Sequence, residues 1–235
     1  MAQNVIAPQM LRFDEREIPL EIRRHSRAQR LTLRMTPDGA GVRLVLPARV
    51  AVKEGMAFVE RNRGWILQRL SDQPARVIFR DGATIPFLGQ NQTVRHDPNA
   101  RRGVWREDDI IWVSGFAEHL PRRLTDYLKA EARNEITTRA RTKAESQGLR
   151  IARISLRDTT SRWGSCSSRG NLNFSWRLIF APELVLDYVV AHEVAHLREM
   201  NHSPDFWHLT RQMTNDVGQA KAWLSRNGTA LLRYG

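Results

Sequence analysis

Alternation of apolar and polar positions dominates the first half of the chain. Leu31, Leu33 and Met35 alternate with polar neighbours, as do Val42, Leu44 and Leu46, a period of two that lays one face of a strand on a core. Pro37-Asp38-Gly39 between these runs predicts the turn of a hairpin. Over residues 52–70 the period changes, with Met56, Val59, Trp65 and Ile66 at helical intervals, while Gly55 and Gly64 weaken the continuity of that helix. Short strands resume at residues 77–79, at 84–88 after an Asp81-Gly82 turn, and at 104–113 around Glu107-Asp108-Asp109.

The second half reads differently. Pro121 is placed to open a helix that runs through Leu124, Leu128 and Ile136 to a stop at Gly148. A strand at residues 151–157 sets Ala152, Ile154 and Leu156 against Arg153, Ser155 and Arg157. After a polar loop at 158–170, residues 171–180 alternate strongly, with Leu172, Phe174, Trp176, Leu178 and Phe180 opposite Asn171, Asn173, Ser175 and Arg177. Pro182 then opens a helix expected over residues 183–200. The pattern therefore predicts an α+β chain: a β-rich N-terminal module at residues 1–118 and a second domain at 119–235. No internal repeat is visible.

Composition narrows the class. With 235 residues, 41% of them apolar, the chain can bury a substantial core, which excludes general disorder. Lys and Arg number 37 against 25 Asp and Glu, a formal net charge of +12. Such a field favours acidic partners, DNA or another nucleic acid among them. The excess is uneven, since residues 119–177 hold thirteen basic and five acidic groups. Cys166 is the single cysteine, which excludes an intrachain disulfide and suits a reducing compartment, so the expected location is the cytoplasm. As a thiol it reads as an inert small residue. No run approaches the roughly 20 apolar residues that would span a bilayer, and no membrane partner is expected.

One motif carries chemistry. His192-Glu193-Val194-Ala195-His196 places two imidazoles four residues apart on a helix, about 40° apart around its axis, where both can grip one ion. For 7 His in 235 residues the motif arises by chance on the order of 1% of the time. A catalytic zinc site takes three protein ligands and leaves its fourth position to water. Asn201 is a plausible helix end and Ser203-Pro204 a ready cap for the next helix, so His202 falls in a tight turn that can return to the ion. His208, inside the following helix, is its competitor. Zinc at His192, His196 and His202 would activate a water, with Glu193 as general base, for attack on a carbonyl.

These residues, with Arg162-Trp163-Gly164-Ser165-Cys166, the 171–180 segment, and Leu197 to Ser203 followed by Phe206-Trp207, resemble the YgjP-like metallopeptidase family, related to the SprT and Wss1 proteases. Arg23-His25-Ser26, Trp65-Ile66 and the Gly82 and Gly89 region resemble it more weakly. The resemblance implies a zincin-like metallopeptidase domain with an HExxH active-site helix, His192, His196 and His202 as zinc ligands, and Glu193 as catalytic base. It implies a protein or peptide substrate. Its SprT and Wss1 relatives act on DNA-bound proteins, a precedent for nucleic-acid-associated substrates. The long metzincin pattern is not met, because no Gly lies between His196 and His202.

Other residues are candidates to line the cleft or to pair with substrate: Trp163, Ser165, Asn173, Ser175 and Arg177. The 171–180 strand either sits at a sheet edge, where it could pair with an extended peptide, or lies inside the sheet. Tyr188, Arg162 and His208 are the candidates for stabilising an oxyanion. Two rival functions stand beside the peptidase: a nucleic-acid-associated protein with a structural or inactive zinc site, and a metal-dependent hydrolase of a non-peptide amide.

Overall fold

The computed structural model describes residues 4–13, 16–36, 39, 41–71, 76–159 and 162–235. Two compact units divide the chain, Met1–Ala75 and Arg76–Gly235.

In the first unit, β1 (Asn4–Phe13), β2 (Arg16–His25), β3 (Thr32–Met35) and β4 (Val42–Pro47) form one sheet of order β1-β2-β4-β3. β2 and β4 run parallel and the outer pairs antiparallel. β3 and β4 form the expected hairpin pair, Thr32 opposite Val45 and Met35 opposite Val42; Pro37 and Asp38 of its turn lie outside the described residues. The alternation does what a period of two requires. Leu20, Ile22, Leu44 and Leu46 are buried, together with Val59 and Ile66 from two helices.

Those helices, α1 (Val52–Arg61) and α2 (Arg63–Ser71), replace the single helix expected over 52–70. The break falls at Asn62, whose side-chain amide donates to the Phe58 carbonyl at 2.8 Å while its backbone N–H also turns back on Phe58 and Val59. The phase is reset there. Ile66 faces the core, but Trp65 is 39% exposed, contrary to its place on a continuous apolar stripe. Gly55 belongs to packing: a Cβ there would stand 2.5 Å from Leu46 Cδ2, so α1 can approach the sheet only without a side chain.

The second unit begins with β5 (Thr84–Phe87), β6 (Gln90–Asp97), β7 (Val104–Glu107) and β8 (Ile110–Ser114), in the order β5-β6-β8-β7. This sheet shares one core with everything that follows it. Ile85, Phe87, Val94, Ile111 and Val113 are buried with the stripe Leu120, Leu124, Leu128, Ala132, Ile136, Ala140 and Ala144 of α3 (Leu120–Ser146). The repeat of four keeps that stripe on one helix face. The common core explains why the units divide at 75/76, ahead of the composition shift that suggested 118/119: the second sheet packs forward onto α3.

β9 (Arg153–Arg157), β10 (Gly164–Cys166) and β11 (Asn171–Ser175) form a small sheet of order β10-β11-β9. The alternating strand expected over 171–180 ends at Ser175, and Trp176–Phe180 winds into a 3-10 turn. All five residues of that turn are buried, so no polar face exists for a strand to turn to water. Arg177 is buried among them, with its Nε 2.9 Å from Asp158 Oδ1, its Nη2 3.3 Å from Asp158 Oδ2, and Nη1 donating to the Tyr234 carbonyl.

Three helices complete the unit: α4 (Glu183–Ala195), α5 (Pro204–Met213) and α6 (Val217–Leu231). α4 stops at Ala195, with His196 as its C-cap, short of the expected 200. Asp187, which interrupts the apolar run of α4, fastens it to its neighbours through Lys143 Nζ at 2.9 Å and Thr214 Oγ1 at 2.7 Å. At the start of α4, the β5–β6 turn presses directly on Pro182. A Cβ on Gly89 would lie 2.8 Å from Pro182 Cα, and Gly89 holds φ +82°. Among the described residues, no helix is long and apolar enough to cross a membrane.

Candidate metal centre

The last turn of α4 presents His192, and its C-cap presents His196, as the spacing of four requires. The chain then reverses through 197–202. Ser203 caps α5, its Oγ accepting the Phe206 N–H at 3.2 Å, with Pro204 in the first turn. That reversal returns His202 to the helix end. One ring nitrogen from each of His192, His196 and His202 lies within 4.8 Å of the others. His202 Nε2 stands 3.1 Å from His192 Nε2. His208 is elsewhere, exposed and hydrogen bonded to Gln212 Nε2 at 3.0 Å.

The arrangement fits a metal ion. Two nitrogens bound tetrahedrally at about 2.0–2.1 Å are separated by about 3.4 Å, close to the His192–His202 spacing. The far ring nitrogens are also engaged. His196 Nδ1 is 2.9 Å from the Glu199 carbonyl, a bond that makes Nδ1 the protonated nitrogen and frees Nε2. Tyr188 Oη lies 3.5 Å from His192 Nδ1. Burial, then the neighbouring His196, His202 and Lys221 charges, pushes His192 down to about 4, which keeps it neutral near neutral pH. Burial lowers His196 as well, against its bond to Glu199. Neutral imidazole is the form that binds metal.

Phe206 forms the floor. Its ring, fully buried, lies 4.9, 4.6 and 4.8 Å from the rings of His192, His196 and His202. Trp207 stacks on His202 at 5.7 Å, and Lys221 Nζ lies over the Trp207 ring at 4.5 Å.

Glu193, next to the first histidine, is 6% exposed, and burial raises its carboxyl to about 7 against the opposing charge of Arg162. β10 lies directly on it. A Cβ on Gly164 would come within 2.5 Å of Glu193 Cγ and Oε1, so only glycine allows the strand this close. β10 is also an edge strand, and of the two positions open to the 171–180 strand β11 takes the interior one, as the central strand of the three.

The remaining candidates separate. Ser165 and Asn173 share a hollow of about 480 Å³ beside Arg162 and Gly164, and are linked across the strands at 3.4 Å. Ser175 is fully buried and Arg177 is held by Asp158, so neither lines that hollow. Trp163 packs against Gly228 of α6, with Nε1 3.3 Å from the Cβ position there. Tyr188 addresses His192, and burial followed by the Glu193 charge raises its hydroxyl to about 12. The same two influences raise the Cys166 thiol to about 11, in keeping with an inert residue. Two contributors escaped the sequence reading. The Glu199 carbonyl has no side-chain signal, and Gly164 has meaning only against Glu193.

Comparison with known proteins bears on the same residues. A search of curated proteins returns no significant match. Among solved structures, the metallopeptidase zymogen of Pyrococcus abyssi abylysin aligns at 20% identity and a TM-score of 0.36, over 42% of this chain and 97% of that one. The YgjP-like metallopeptidase domain matches residues 29–227, a span that contains β10, the three histidines and Glu193. The chain belongs to the YgjP-like metallopeptidase family.

Proposed function

We propose that this chain is a zinc-dependent peptidase in which His192, His196 and His202 hold the metal and Glu193 is the general base. The observation that carries the reading is the convergence of three imidazoles at one helix end, with His192 and His196 held towards the neutral form by burial, beside a buried carboxyl. Bound there, zinc would supply polarisation of the scissile carbonyl and acidification of a water. Glu193, raised to about 7, lies in the range where a carboxyl both accepts and returns a proton near neutral pH. It takes the proton of the attacking water and delivers it to the leaving amine. The edge of β10 that no described strand occupies pairs with an extended peptide through main-chain hydrogen bonds, and Gly164 lets that peptide pass close to Glu193. The single free thiol fits the reducing cytoplasm.

The ligand assignment has a direct test in metal content. His202→Ala is expected to lose most of its zinc after dialysis, while His208→Ala keeps about one zinc per chain. The opposite pattern would move the third ligand to His208.

A further inference from the structure

A groove of about 1380 Å³ runs between α3 and β9, along the edge of the small sheet opposite β10. No described strand pairs with that outer edge of β9. A strand edge left open in this way offers a row of main-chain donors and acceptors.

The walls are strongly basic. Lys129, Arg133 and Arg141 from α3 face Arg150, Arg153 and Arg157 from the strand side. Three carboxylates also line it, but two are already engaged from outside: Asp126 by Arg122 at 3.3 Å and Asp158 by Arg177 at 2.9 Å. Among the described residues, Arg133, Arg141, Arg150, Arg153 and Arg157 form no ion pair, although the surface elsewhere couples Arg139 with Glu135 and Arg12 with Glu17. Unpaired guanidinium groups crowded along one groove repel each other, and an acidic occupant relieves that cost. Between the charges, half-buried Leu149, Ile151, Ile154 and Leu156 supply apolar surface.

We propose that this groove is a second peptide-binding site, which takes an extended segment rich in Asp and Glu as an added strand on β9. The combination selects a polypeptide. Strand addition satisfies the open edge, alternate side chains of the guest reach the apolar patches, and its carboxylates meet the arginines. A single-stranded nucleic acid would instead need exposed rings on which to stack its bases, and the aromatic residue of the groove, Trp176, is 2% exposed. The site sits across β11 from β10 and does not depend on the metal chemistry.

The test is fluorescence anisotropy of a labelled peptide of alternating Glu and Val with the full chain, carried out in the Glu193→Gln background so that the probe stays intact. Arg133→Glu/Arg141→Glu is expected to weaken binding at least about tenfold, whereas Arg27→Glu/Arg30→Glu, reversing exposed charges in the first unit, changes it less than about twofold. Equal loss in both would reduce the interaction to net charge and overturn the site. The same peptide with alternate backbone nitrogens methylated keeps its charge but cannot pair with a strand, so undiminished binding to the otherwise unaltered chain would also overturn it. An oligothymidylate that binds more tightly, and loses affinity with the Arg133/Arg141 reversal, would assign the groove to nucleic acid instead.

Discussion

The two four-stranded sheets share one topology and serve different purposes. In each, two antiparallel pairs flank a central parallel pair, β2 with β4 in the first and β6 with β8 in the second. The first sheet closes its own core with two short helices, α1 and α2. The second contributes its apolar face to the core that contains α3 and α4, and its β5–β6 turn braces Pro182 at the start of the histidine-bearing helix. Leu88, in that turn, donates its N–H to the Ile179 carbonyl at 2.7 Å. Similar strand patterns therefore yield a self-contained unit in one case and a support for the candidate centre in the other. What decides is the partner on the apolar face.

Core truncation should expose this difference most strongly. Leu44→Ala and Phe87→Ala each remove a buried side chain and should each cost about 3–4 kcal/mol in the unit that carries it. Denaturant unfolding measures that cost, and zinc retention separates the two: Phe87→Ala should weaken it, and Leu44→Ala should leave it unchanged. Loss of zinc from Leu44→Ala would contradict the separate cores.

A smaller effect is expected at Gly89. Replacement by Ala puts a side chain at φ +82° and against Pro182, at a cost of about 1–2 kcal/mol from the left-handed backbone alone. The altered entry of α4 should appear as a shift in the His192 imidazole resonance. A variant with wild-type stability and an unshifted resonance would remove the bracing role.

The smallest effect lies in the first unit. Glu21 is penalised by burial, yet its hydrogen bonds to Arg43, at 2.6 Å, and to Arg23 outweigh that penalty and hold its carboxyl below the usual range. A depressed carboxyl contributes stability above its unfolded pKa, near 4.5, and loses it as pH falls through the lower folded value. The first unit should therefore weaken on acidification below about pH 4.5 by no more than about 1 kcal/mol for this partly exposed group. Glu21→Gln should flatten that dependence in acid unfolding, and an unchanged slope would assign it to other carboxyls.

Local rules made part of this legible. Period-two alternation located β3 and β4, the Pro121 start located α3, and the spacing of His192 and His196 with the Ser203-Pro204 cap anticipated which three imidazoles would meet. Where burial became complete, the pattern failed. The 171–180 segment alternates in sequence, but a segment enclosed on every side gains nothing from alternation, and its C-terminal half became a 3-10 turn. The break at Asn62 depends on one back-bonded amide, and the place of β10 depends on pairing with β11 and contact with Glu193, both made across the chain. The unit boundary depends on which core the second sheet joins, which no local window contains.

The central proposal is that Glu193 moves protons beside a metal that the three histidines hold. Zinc content and hydrolysis of an unfolded protein substrate, measured on the same preparation of Glu193→Gln, test it most directly. The prediction is about one zinc per chain, as in the wild type, with hydrolysis reduced by at least ~100-fold. Undiminished hydrolysis by a zinc-loaded Glu193→Gln would contradict it.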